Sequence, residues 1–249
     1  MKHNLHAIRE GTMKVVFLLT ACISILAVAL ICIFLFANGI PTMHKIGLGK
    51  FLFGMTWAPN QDLYGIFPMI IASILVTGGA ILIGVPLGLL FAIYLGKMAP
   101  KPVYQVLRPT VDLLSGIPSV VYGLVGMMVL VPFVREAFHV ADGVGLFSSI
   151  IVLTVMVLPS IISVSETALK AVPREYEEAS LALGATWNET VFKVSFPAAK
   201  SGIAASVVLG IGRAVGEAMA IMMVCGNVAN MPSLFSSVRF LTTAIAGEM

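Results

Sequence analysis

The sequence predicts an all-α fold, a polytopic bundle of membrane-spanning helices. Three observations predict it. Hydrophobic residues fill 59% of the 249 positions and charged residues only 11%, against about 25% charged in a soluble domain. So little charge cannot cover a surface that faces water throughout, and lipid must be part of the solvent. The apolar residues are also gathered into five long stretches, 15–37, 66–95, 117–134, 146–164 and 203–224, and a span needs about 17–25 such residues. Lastly, Lys and Arg are unevenly placed: ten fall at the N-terminus and in the second and fourth connections, four in the others. The positive-inside bias then puts the N-terminus in the cytoplasm and everything after Val224 outside.

Residues 1–14 read as a short cytoplasmic leader in which His3 and His6 are solvated rather than metal ligands. The stretch 15–37 has no Pro and no charge. It is too long for the apolar core of a signal peptide and lacks a small-residue cleavage site, so it is a lipid-facing anchor helix. An external segment follows over 38–65, where Trp57 and Tyr64 suit the membrane interface. Here Gly47-Leu48-Gly49-Lys50 resembles the end of a phosphate-binding loop, but His44 stands where the first Gly is needed and Phe51 where Ser or Thr is needed. The chain therefore does not hydrolyse ATP itself, and it is not expected to be an enzyme.

The second span carries Gly84 and Gly88, a spacing that lets two helix backbones approach closely in lipid, and Pro86, which removes a backbone donor and should bend the helix. A basic, proline-containing connection over 97–110 leads to Ser115, Gly116 and Pro118. These interrupt helix geometry where the third span begins. Ser115 and Gly116 are candidate pathway backbone, because a broken helix end near the membrane offers N–H groups to an anion; a tight turn with Ser as a helix cap is the alternative. Cys22, Cys32 and Cys225 fall in or beside apolar stretches without metal spacing, and no metal site or cofactor is expected.

The fifth stretch, 203–224, holds Arg213 and Glu217. A charge at mid-bilayer costs about 2.5–3.5 kcal/mol on insertion scales, so both residues need a reason to be there. Four apart on a helix they would share a face, and that face must look at protein, water or a charged solute. This predicts an anion pathway through Arg213 and Glu217, the carboxylate pairing with the guanidinium when the site is empty. A stabilising ion pair between spans is the bland alternative.

The longest polar segment is 165–201. Pro173 can open a helix, Glu175, Glu177 and Glu178 follow where the helix dipole favours acids, Gly184 ends it, and Thr186 or Asn188 can start a second helix that Pro197 limits. This segment resembles the EAA loop of ABC-importer permeases: Glu178-Ala179-Ser180, then Gly184, then Val194-Ser195-Phe196-Pro197 keep the spacing of that motif, with Ser180, Val194 and Phe196 as mild departures. The resemblance implies that Glu178, Ala179, Ser180, Gly184 and Pro197 couple the chain to a separate ATPase subunit. Gly212-Arg213-Ala214-Val215-Gly216-Glu217-Ala218-Met219-Ala220, Gly116-Ile117-Pro118-Ser119 and Tyr64-Gly65-Ile66-Phe67-Pro68 are similar to the C-type permeases of phosphate importers.

That family implies a type I ABC-importer permease fold over 66–249, with the loop 165–201 included. It further implies a second permease subunit, ATP-binding subunits, an external phosphate-binding protein, and phosphate as the solute. It also implies a sixth span, which would begin where this chain stops. Other oxyanions such as molybdate or sulfate, and an ion-coupled carrier with Glu217 as its proton site, are the alternatives. No nucleic-acid partner is expected.

Overall fold

The structure is a computed structural model that describes residues 2–248, with side-chain surroundings from Thr12 onward. His3 and His6 therefore lie outside the described side chains. The chain divides into two units, Met1–Gly54 and Met55–Met249.

In the first unit helix α1 spans Lys2–Ile46. It runs through the predicted leader and past the expected end of the first span at 37. Pro41 sits inside it without ending it. Nearby polar side chains bond back to the helix: the Asn38 amide donates to the Phe34 carbonyl at 2.8 Å and the Thr42 hydroxyl to the Asn38 carbonyl at 3.0 Å. From Met13 to Ile40 the large apolar side chains of α1 are exposed, as a lipid-facing anchor requires. Gly47, at a φ of 92°, turns the chain into the short helix α2, Leu48–Phe53.

The second unit opens with a two-stranded hairpin, β1 (Trp57–Ala58) paired antiparallel to β2 (Leu63–Tyr64), with Trp57 opposite Tyr64. Helix α3, Phe67–Ile93, follows with Pro68 in its first turn and Pro86 within it, and a π-helical turn, Tyr94–Met98, extends it. The basic connection expected over 97–110 is largely helical: α4 spans Lys101–Gly116. Pro102 is tolerated there because the first turn has no intrahelical use for its missing N–H. Helix α5 (Ser119–Val125), a π-helical turn (Gly126–Leu130) and α6 (Val131–Phe138) make up the third span.

Helix α7, Leu146–Lys170, is the axis of the unit. More than half of its most apolar window is buried, 56%, against 22% for the α3 window. Helix α3 lies parallel to it. The reason is visible in the sequence of small residues: a Cβ on Gly84 would stand 3.2 Å from Val157, and one on Gly88 2.9 Å from Ile161. The Gly84/Gly88 spacing therefore does what it was expected to do, bringing the α3 backbone onto a ridge of branched side chains.

Beyond α7 the polar segment folds as α8 (Arg174–Ala182), α9 (Trp187–Thr190), a π-helical turn (Val191–Ser195) and α10 (Phe196–Ala198). Helix α11, Lys200–Gly216, then returns antiparallel to α7. Two contacts fix its course: the Ser165 and Ser206 hydroxyls bond at 2.6 Å, and Gly210 leaves room for Ile161.

The predicted fifth helix over 203–224 is not continuous. It stops at Gly216, Glu217 is extended, and α12 (Met219–Met222) is a separate short turn. Apolar length foretold one helix. The break is held by tertiary partners that satisfy the freed backbone: the Thr242 hydroxyl donates to the Glu217 carbonyl at 2.9 Å, and the Glu217 carboxylate accepts the Ala220 N–H at 2.9 Å. In lipid such a break survives only where protein supplies these bonds.

The residues after α12 pack back onto the unit. Gly226 bridges Val238, Val238 and Phe240 are buried, and the Leu241 N–H reaches the Ser73 hydroxyl of α3 at 3.0 Å before α13, Leu241–Glu248, begins.

Candidate functional site

Arg213 sits in the last turn of α11, where the negative end of the helix dipole favours a cation. It faces α7 near the middle of that helix: one guanidinium nitrogen, Nη1, donates to the Ser160 hydroxyl at 2.9 Å. The side chain is half-buried. A guanidinium has five N–H donors, and Ser160 takes one of them. Arg213 enters no ion pair among the described residues, and none of its remaining donors is buried without a partner. Those donors are therefore accessible to a solute that reaches the middle of α7.

The expected pairing of Arg213 with Glu217 does not form. The same-face rule for residues four apart holds only while the helix continues, and α11 ends between them. Glu217 turns instead to cap α12 and lines a cavity of about 390 Å³ with Ser73 and Thr77 of α3 and with Thr242. Neither do the glycines of this helix act alike. Gly210 packs on Ile161, whereas a Cβ on Gly212 or Gly216 would meet nothing within 4 Å.

Ser115 and Gly116 close the last turn of α4, and the backbone leaves the helix at Ile117. What they bring to the break is the carbonyl end of a helix. The N–H end belongs to α5, which starts at Ser119 with no side-chain cap, so Ser115 is not the cap considered for the turn. Tyr122 ties the two together, its hydroxyl donating to the Leu114 carbonyl at 2.6 Å.

Neither Ser160 nor Tyr122 stands out in the sequence as a site residue. A hydroxyl directly after Pro159 in an apolar run is the signal that could have found Ser160.

The polar loop has its own geometry. Glu178 and Ala179 are on the loop's first helix, where Glu178 is exposed; Ser180 bonds Thr190 hydroxyl to hydroxyl at 2.9 Å, and Pro197 is exposed in α10. Gly184 ends α8 at a φ of 88°, and a Cβ there would meet nothing within 4 Å, so backbone conformation rather than space requires glycine. Around it Leu183 is 91% exposed, a large apolar side chain standing clear of its own fold.

Thr186 starts α9 with a full capping box: its hydroxyl accepts the Glu189 N–H, and the Glu189 carboxylate accepts the Thr186 N–H. That backbone N–H, then the Lys193 ammonium, hold the Glu189 carboxyl down at about 2, below its ordinary 4.5. A depressed carboxylate stabilises the fold fully above the unfolded value and loses that contribution as pH falls through the folded one. The cap is therefore expected to persist to about pH 4.5 and to be lost toward pH 2. A pH titration of the Glu189 carboxyl carbon shift checks this; an ordinary midpoint near 4.5 would mean the box does not form.

Lastly, α4 is fastened to α7 by Glu166, which is buried at 2% exposure. Its carboxylate pairs with Arg108, takes the Tyr104 hydroxyl at 3.0 Å, and pairs with Lys170 at 2.7 Å.

Residues 84–246 match the family described as the binding-protein-dependent transport system inner membrane component. The chain belongs to that family. It is accordingly a multi-pass inner-membrane component of a transport system, and its bundle is that of a type I ABC-importer permease.

Among relatives of this family member, the probable ABC transporter permease protein YqgH of Bacillus subtilis is 42% identical, over 93% of this chain and 77% of its own length. The phosphate transport system permease protein PstC of Haemophilus influenzae is 34% identical, over 96% of this chain and 82% of its own. The MetNI methionine ABC transporter, in an inward-facing form, has a chain that aligns with a TM-score of 0.50 at 26% identity, covering 68% of this chain and 74% of that one. The family match spans the polar loop, Arg213 and the α4–α5 break alike.

Proposed function

We propose that this chain is a permease subunit of an ATP-driven phosphate importer, lining the path of the anion together with a second permease subunit. The observation that carries the reading is Arg213: a half-buried guanidinium facing the middle of α7, held by a single hydroxyl and opposed by no carboxylate among the described residues. A planar fork of donors matches the oxygens of phosphate. The names of the relatives support phosphate over molybdate or sulfate. Phosphate would approach where the α4–α5 break, Ser115 and Gly116 stand near Tyr122, and Glu217 would act from the cavity beside α3 rather than by pairing with Arg213.

The loop of α8 to α10 would dock on a separate ATP-binding subunit. Glu178 is exposed there beside Ala179, Ser180 and Gly184 fix the elbow, Pro197 shapes its exit, and Leu183 stands free as an apolar anchor. The loop and the N-terminus would then lie in the cytoplasm, with an external phosphate-binding protein delivering the anion to the opposite face. Hydrolysis of ATP would occur on the partner, since no phosphate-binding loop is complete in this chain.

Co-expression with the ATPase, the second permease and the binding protein, followed by purification and reconstitution, tests the reading. Phosphate accumulation that requires ATP is expected. ATP-independent uptake driven by a proton gradient, or accumulation of molybdate in place of phosphate, would sink it.

A further inference from the structure

The polar loop carries a buried carboxylate that the motif resemblance does not account for. Glu177 precedes the exposed Glu178, yet its own side chain is only 10% exposed. One oxygen, Oε1, receives two donors, one from outside the loop and one from near its far end. The Lys97 ammonium, from the π-helical turn that extends α3, lies 2.5 Å away with its side chain 9% exposed. The Ser195 hydroxyl, from the last residue before α10 and α11, donates at 2.7 Å. The Trp187 indole of α9 adds a third bond, donating to the Lys97 carbonyl at 3.0 Å. Beside this knot lies a cavity of about 570 Å³ lined by Gly96, Lys170, Arg174, Glu178 and Leu181 among others; elsewhere Val191 and Phe196 of the loop share a hydrophobic cluster with Ala92 and Ile93 of α3.

From this we infer that Glu177 is the positioning residue that makes the loop move as one piece with α3 and α11. An elbow docked on a partner can transmit a push only through its rigid attachments. A buried, hydrogen-bonded ion pair gives one defined geometry, and a shared acceptor ties α8 both to the end of α3 and to the residue that leads into α10 and α11. Glu178 would then face the partner, and Glu177 would hold the loop to the pathway. Nothing in this step makes or breaks a covalent bond. The inference rests on the importer reading above, because coupling has meaning only if a partner hydrolyses ATP.

The test uses the complete reconstituted transporter, with phosphate uptake and ATP hydrolysis measured on the same preparation. Glu177→Gln keeps the hydrogen bond from Ser195 but removes the charge opposite Lys97. It is expected to raise the ATP consumed per phosphate taken up by about tenfold, a size ordinary for coupling between sites, with the ATPase still co-purifying. The charge-reversed double variant, Lys97→Glu with Glu177→Lys, is expected to recover much of the wild-type ratio. An unchanged ratio in Glu177→Gln would overturn the assignment, as would uptake and hydrolysis falling in proportion, or a double variant no better coupled than the single one. Failure of the unaltered complex to take up phosphate would overturn the importer reading, and this inference with it.

Discussion

Phosphate uptake by the assembled transporter is expected to fall by about 10- to 150-fold when Arg213 is replaced by Ala, since a hydrogen bond to a charged group contributes about 1.5–3 kcal/mol and about 1.4 kcal/mol is a factor of ten. The loss should be large because no described side chain can take over: Arg213 is the lone cation of its helix turn and is held only by Ser160. Arg213→Lys keeps the charge but loses the planar fork, so it should retain part of the activity and raise the phosphate concentration needed for half-maximal uptake. Radiolabelled phosphate uptake at several concentrations, normalised to assembled complex, measures both. Wild-type uptake in both variants would end the idea that Arg213 lies on the path.

Gly123→Ala is expected to destabilise the unit by about 1–3 kcal/mol, the cost of inserting a carbon into packed structure. Its Cβ would stand 2.8 Å from the backbone of Ala220, which cannot rotate away as a side-chain tip could. This close approach seats α5 against α12, directly after the break at Glu217, so the substitution should also reduce transport. In a chain of this size each kcal/mol lowers the melting temperature by about 2–4 °C, and thermal unfolding in detergent reads the effect. Gly78→Ala is the matched control: nothing lies within 4 Å of its Cβ position, and no drop is expected. Equal melting of wild type and Gly123→Ala would show that α5 and α12 are not in this contact.

The two expectations differ in how they could be reached. Arg213 stands out in the amino-acid string because a charge in an apolar run is costly whatever the fold. Gly123 does not, because nothing local distinguishes a glycine at a close backbone approach from Gly78, which faces open space. The same contrast runs through the molecule. The apolar runs beginning near 67, 119 and 146 were legible, since hydrocarbon length is a one-dimensional quantity. The Gly84/Gly88 pair was legible as a packing groove, but its partner, α7, was not. The helix α4 was hidden by its prolines: Pro102 falls in the first turn, where its missing donor is not needed, and Pro109 lies inside the helix without ending it. The Thr186 cap and the Gly184 stop were legible because capping is a local bond.

What the string by itself determined is the solvent, the number of apolar stretches, the elbow in the polar loop, and the presence of an arginine that lipid cannot accept. What only the tertiary structure decided is who answers each polar group. An unbroken helix would have given Glu217 to Arg213. Thr242, 25 positions further along, bonds the Glu217 carbonyl and helps hold the break open, and Ser160 takes the guanidinium in its place. Glu177 looked like one acid among several in a first helical turn, and became buried only because Lys97 and Ser195 converge on it from distant positions. Hydrophobic length is additive along the chain and can be read residue by residue. The satisfaction of a buried polar group depends on atoms that only folding brings within about 3 Å.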